Sequence, residues 1–60
     1  MDFELRIHMG NDAYSADAVA EVQRQLRAVA GSLQDMLILG DSRPIRDING
    51  NTVGKWEVVK

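Results

Sequence analysis

Apolar and polar residues alternate at the start of the chain, with Phe3, Leu5, Ile7 and Met9 separated by Glu4, Arg6 and His8. A period of two predicts a half-buried strand, its apolar side facing a core and its Glu4, Arg6 and His8 side facing water or a partner. Gly10-Asn11-Asp12 ends it, as turn formers do. The period then lengthens. Val19, Val22, Leu26, Val29 and Leu33 recur at helical spacing, and Glu21, Gln23, Arg24, Gln25 and Arg27 are assigned to the wet side. Ser15 is placed to accept the first free backbone amides, and Asp17 suits the positive helix end. Gly31 costs the helix about 1 kcal/mol relative to alanine, yet the stripe continues beyond it. The predicted helix therefore runs from Ala16 to about Met36.

Met36-Leu37-Ile38-Leu39 is a dense apolar run. It reads as the last helical turn, with a short strand before Gly40-Asp41-Ser42 as the alternative. Its four members cannot all face a core that one helix builds, so the run marks a candidate contact between chains. Tyr14, just ahead of the helix, is grouped with it as one apolar, methionine-containing surface.

The last third of the chain turns on Asn49-Gly50, a strong hairpin signal because both residues tolerate positive φ. Its expected arms are Pro44 to Asp47 and Thr52 to Val59. If Ile45 faces the core opposite Val53, then Trp56 and Val58 fall out of phase with Val53. A bulge at Gly54-Lys55 would restore the phase. The expected fold class is α+β: a β-α-β-β chain, one domain over residues 1–60, forming a three-stranded sheet with one helix packed on one face. The first strand is expected to pair with the last, returned parallel to it by the helical crossover. The expected core is Phe3, Leu5, Ile7, Val19, Val22, Leu26, Val29, Leu33, Ile45, Val53, Trp56 and Val58, with Trp56 closing one end.

Composition narrows the chemistry. With 60 residues, 45% of them hydrophobic, 27% charged and a net charge of -2, the chain is a small globule and not a disordered tail. A core of that size is marginal, and the absence of cysteine removes disulfides and thiolate metal sites as supports. Self-association as a homodimer is the remaining source of burial. No basic or apolar leader and no membrane-length apolar run is visible, so a cytoplasmic protein is expected.

Phe3-Glu4-Leu5-Arg6-Ile7, Gly10-Asn11-Asp12-Ala13, Asp17-Ala18-Val19-Ala20-Glu21 and Ile45 through Glu57 carry a likeness. Together they resemble short proteins encoded by viruses that infect actinobacteria, mycobacteria and their relatives above all. The resemblance covers almost the whole chain and is strongest in Asn49-Gly50-Asn51-Thr52-Val53-Gly54, while Leu33 to Pro44 stands apart. That group has no assigned activity, so no residue role carries over. The resemblance implies a viral origin and a role in adjusting host physiology.

Individual residues invite sharper readings. Asp47, Asn49 and Asn51 have the first oxygen-ligand spacings of a calcium loop, but Thr52 stands where its glycine belongs and Val58 where its bidentate glutamate belongs. A turn held by Asx hydrogen bonds accounts for the same residues. His8 sits on an exposed strand side, and Ser15, Ser32 and Ser42 have no nucleophile-elbow context. No catalytic residue, cofactor or metal site is therefore assigned, and the chain is not expected to be an enzyme. Arg6, Arg24, Arg27, Arg43 and Arg46 raise the alternative of nucleic-acid binding by a dimer, although Glu4, Glu21, Asp47 and Glu57 interleave with them. A minor virion or assembly component is a further alternative. The expected function is stoichiometric protein–protein interaction, with a second copy and a host protein as partners and Tyr14, Met36, Leu37, Ile38 and Leu39 as the contact residues, whichever of the two they meet.

Overall fold

The computed structural model of the chain describes residues 1–33 and 35–60. Strand β1 (Asp2–Ile7) leads through a short 3-10 turn (Asp12–Tyr14) to helix α1 (Ala18–Ser32). Strands β2 (Ser42–Arg46) and β3 (Thr52–Val59) follow. The three strands form one antiparallel sheet in the order β1-β3-β2. The α+β class and the β-α-β-β order are as expected.

The first strand does pair with the last, but antiparallel, with Phe3 opposite Val58 and Leu5 opposite Trp56. The crossover through α1 returns the chain parallel to β2 instead. The hairpin then reverses it, so that β3 enters between β1 and β2 and opposes both.

Backbone hydrogen bonds alternate along both strand pairs of this sheet, interrupted in β2–β3 between Ile45 and Arg46. His8 N donates to Val53 O at 2.8 Å, so the even positions of β1 bond to β3 and Phe3, Leu5 and Ile7 turn their backbone groups outward. Val58 N donates to Asp41 O at 2.8 Å, so on β2 it is Ser42, Pro44 and Arg46 that turn outward. Pro44, which has no N–H to offer, therefore sits on the free edge of β2, where proline is tolerated.

The hairpin closes through a three-residue loop. Asp47 N donates to Asn51 O at 2.8 Å and Gly50 N to Asp47 O at 3.0 Å. Gly50 has φ +86° and Asn49 is not in the left-handed region. That is a type I turn followed by one left-handed residue, in place of a turn with positive φ at both Asn49 and Gly50. The phase-restoring bulge is present, one step earlier than expected: Ile45 opposes Gly54 and Arg46 opposes Thr52, leaving Val53 as the extra residue. Val53, Trp56 and Val58 are consequently all buried.

Helix α1 is shorter than its apolar stripe suggests. Asp17, and not Ser15, caps it by accepting from Ala20 N at 3.0 Å. Ser15 instead donates its hydroxyl to Asp12 O at 2.7 Å. At the other end Ser32 donates to Val29 O at 2.8 Å, and Leu33 is extended (φ -70°, ψ 138°) so that its side chain can join the core. Serine bonding back to the helix, directly after Gly31, is a weak point at which to stop.

The buried cluster is Tyr14, Ile45, Val53, Trp56 and Val58, with Leu5, Ile7, Ala13, Ala18, Val22, Val29, Leu33 and Leu37 packed against it. Val19 and Leu26 are exposed, contrary to expectation, and Phe3 is partly exposed although stacked on Trp56 at 5.3 Å between ring centroids. The inward side of α1 is rotated by about one position. It runs through Ala18, Glu21, Val22, Gln25 and Val29, because Glu21 and Gln25 find polar partners inside. At the backbone level α1 approaches the 3-10 turn and β2.

Candidate interaction surface

The expected contact residues divide. Asn11 caps the 3-10 turn by accepting from Ala13 N at 2.9 Å, and this turn carries Tyr14 into the core, where it is 6% exposed. Its hydroxyl accepts from Gln25 Nε2 at 2.7 Å. Tyr14 is thus a buried anchor, not part of an outer surface.

Met36 to Leu39 is neither the end of a helix nor a strand. Leu37 packs against the core, while Met36, Ile38 and Leu39 stand out at 69, 56 and 56% exposure. The segment is nevertheless held in shape. Asp41 N donates to Ile38 O at 3.1 Å, Ile38 N donates to Asp41 Oδ2 at 3.1 Å, and Gly40 takes the left-handed position of this turn at φ +94°. Gly40 N and Asp41 O then tie the turn to Val58 of β3. A side chain anchored between exposed apolar neighbours presents them in a fixed arrangement, which lowers the ordering entropy lost on binding.

The five arginines are not gathered. Arg24, Arg43 and Arg46 border a groove of about 360 Å³ between α1 and β2, Arg43 also borders the open sheet side with Arg6, and Arg27 lies on the exposed helix surface. Arg24 is committed to a two-pronged pair with Glu21, Nε to Oε1 at 2.9 Å and Nη2 to Oε2 at 3.0 Å. It also donates to Arg46 O at 3.2 Å. Arg46 Nη1 donates to Gly50 O at 3.4 Å.

A buried polar cluster was not legible from the spacing of residues. Glu21 Oε2 accepts from Gln25 Nε2 at 3.3 Å and from Ile48 N at 3.0 Å, joining the helix to the hairpin turn. The paired Arg24 guanidinium holds the Glu21 carboxyl below its usual range against the opposing effect of burial, and the Ile48 amide helps. Asp47 is 4% exposed and its carboxylate accepts from Asn49 N, Asn51 N, Asn51 Nδ2 and Asn11 Nδ2 at 2.7–3.2 Å. Burial opposes its ionisation, but these donors more than offset that and its pKa is lowered. The Asx-type turn expected at Asp47 is thus observed, and it reaches across the molecule to Asn11. The available signal was Tyr14, whose hydroxyl needs a partner when buried, and that partner, Gln25, lies eleven residues on, in the second turn of α1.

His8 is exposed and lines the open sheet side together with Glu4, Arg6, Pro44, Lys55 and Glu57, a shallow trough of about 1150 Å³. Among the described residues no group of three or more His, Cys, Asp and Glu is placed to hold a metal ion, and no helix is long and apolar enough to cross a membrane. No protein-family model, curated protein or solved structure matches the chain.

Proposed function

We propose that this chain acts as a stoichiometric interaction protein, without chemistry of its own, by seating Met36, Ile38 and Leu39 in an apolar groove of another folded protein. One observation carries the reading: these side chains are exposed on a segment that Leu37 and Asp41 hold in place. Exposed apolar residues confined to a rigid turn are a protein-contact signature. The likeness to proteins of actinobacterial viruses supports a host protein as the partner and a viral accessory role.

The test is capture from extract of an actinobacterial host, comparing the native chain with an Ile38→Asp, Leu39→Asp variant. Both positions are more than half exposed, so the variant is expected to keep its fold. A protein retained by the native chain and lost by the variant supports the reading. An identical set of retained proteins, or none, overturns it.

Nucleic-acid binding is the second reading, favoured by Arg43 and Arg46 facing one groove with Arg24. It predicts salt-sensitive retention on DNA or RNA that Arg43→Ala and Arg46→Ala together abolish.

A further inference from the structure

We propose that two copies of this chain pair through β1, antiparallel and centred on Leu5, to form one six-stranded sheet. The inference concerns the sheet edge and does not rest on the Met36–Leu39 reading.

The edge of β2 is closed to pairing by Pro44, which turns outward without an N–H. The edge of β1 is open. Phe3, Leu5 and Ile7 present their N–H and C=O groups to it. Any antiparallel partner must bond to those odd positions, which restricts the allowed registers.

Charge then selects among them. Within one chain Glu4 lies opposite Glu57 and Arg6 opposite Lys55, so like charges face each other across β1 and β3. Such pairs are unfavourable. Lys55 turns to Glu57 on its own strand at 3.4 Å, and among the described residues neither Glu4 nor Arg6 has an ion-pair partner. A second β1 centred on Leu5 places Glu4 against Arg6 of the other copy, twice by symmetry. Each row of the joined sheet then reads Glu57-Glu4 followed by Arg6-Lys55, acidic against basic. Shifting the centre to Glu4 or to Arg6 would instead set like charges directly opposite.

The apolar positions obey the same centre. Leu5 meets its own copy, Phe3 meets Ile7, and Met1 meets Met9, while Asp2 meets His8 on the polar side. Residues 1–9 therefore form a pattern that mirrors itself about Leu5, apolar onto apolar and acidic onto basic. Phe3 and Met9, 44 and 56% exposed in one chain, gain neighbours. Self-complementarity of this kind is what a two-fold interface requires, since the same patch must serve both partners.

Sedimentation equilibrium of the full chain tests this. The native protein is expected as a dimer, and Glu4→Arg or Arg6→Glu alone should weaken dimerisation roughly tenfold by turning both cross-pairs repulsive. Each single change also replaces a like-charge pair within the chain by an opposite one. The monomer should therefore melt no lower than the native chain does at equal monomer content, which separates loss of pairing from loss of fold. Glu4→Arg and Arg6→Glu combined should restore the dimer. A native chain that stays monomeric at high micromolar concentration overturns the proposal. So does a dimer that the single reversals leave intact, or one that the combined variant fails to restore.

Discussion

Gly54 lies so close to Arg6 that a β-carbon built on it would overlap the Arg6 carbonyl oxygen. The two are neighbours across the β1–β3 ladder, where Ile7 opposes Gly54 and Arg6 opposes Lys55. The absence of a side chain is what allows the strands to close around the Val53 bulge. Gly54→Ala must therefore push β1 away from the central strand, and the obstacle is backbone that cannot rotate aside. The expected loss is about 3 kcal/mol, at the upper end for overpacking. Urea titration followed by Trp56 fluorescence measures it. A loss under about 0.5 kcal/mol would contradict the close approach.

The buried Tyr14–Gln25 pair predicts an asymmetry between single and double substitution. Tyr14→Phe leaves Gln25 Nε2 only its longer bond to Glu21, on a residue 1% exposed whose Oε1 already has no protein partner. The expected cost is about 1–2 kcal/mol. Adding Gln25→Met removes the stranded amide, so the double variant should be more stable than Tyr14→Phe alone. Denaturant midpoints of the four combinations give the coupling.

Acid should weaken the fold through two named groups. Glu21 and Asp47 both lie below their ordinary values of 4.5 and 3.8. A carboxyl with a depressed folded pKa contributes fully above its unfolded value and loses that contribution as pH falls through the folded one. Urea midpoints should therefore be flat from about pH 7 to 5 and drop below about pH 4. In Glu21→Gln, Asp47→Asn the chain should be less stable at pH 7 and its midpoint should change less on acidification.

Leu37 and Leu39, two positions apart, should respond oppositely. Leu37→Ala removes a half-buried side chain from the core and should cost about 1–2 kcal/mol. Leu39→Ala, at a position 56% exposed, should leave stability within about 0.5 kcal/mol. Thermal melts of the two variants compare them directly.

Local chemistry makes the strands and the turn legible in the sequence. Alternation marked Phe3 to Ile7, Asn49-Gly50 marked the reversal, and the clash of phase between Val53 and Trp56 required a bulge. Strand direction was not legible, because pairing β1 with β3 leaves open whether the crossover or the hairpin decides the orientation. The helix face was misjudged for a different reason. Val19 and Leu26 match the apolar spacing as well as Ala18 and Val29 do, and only the tertiary partners of Glu21 and Gln25 choose between them. The apolar run at Met36 to Leu39 is too dense for one core and only Leu37 packs there, whereas the burial of Tyr14 is hidden because its hydroxyl partner lies on another element.

The two sheet edges differ in what they offer a further strand, because Pro44 lacks an N–H in the middle of β2 while Phe3, Leu5 and Ile7 on β1 all have theirs. A molecule that can add a strand on one side and not on the other has a valence of one. Copies joined at β1 as proposed would leave only the Pro44 margins outward, so growth would terminate at a closed pair and fibril-like stacking would have no next site. Replacing Pro44 by valine would remove that stop.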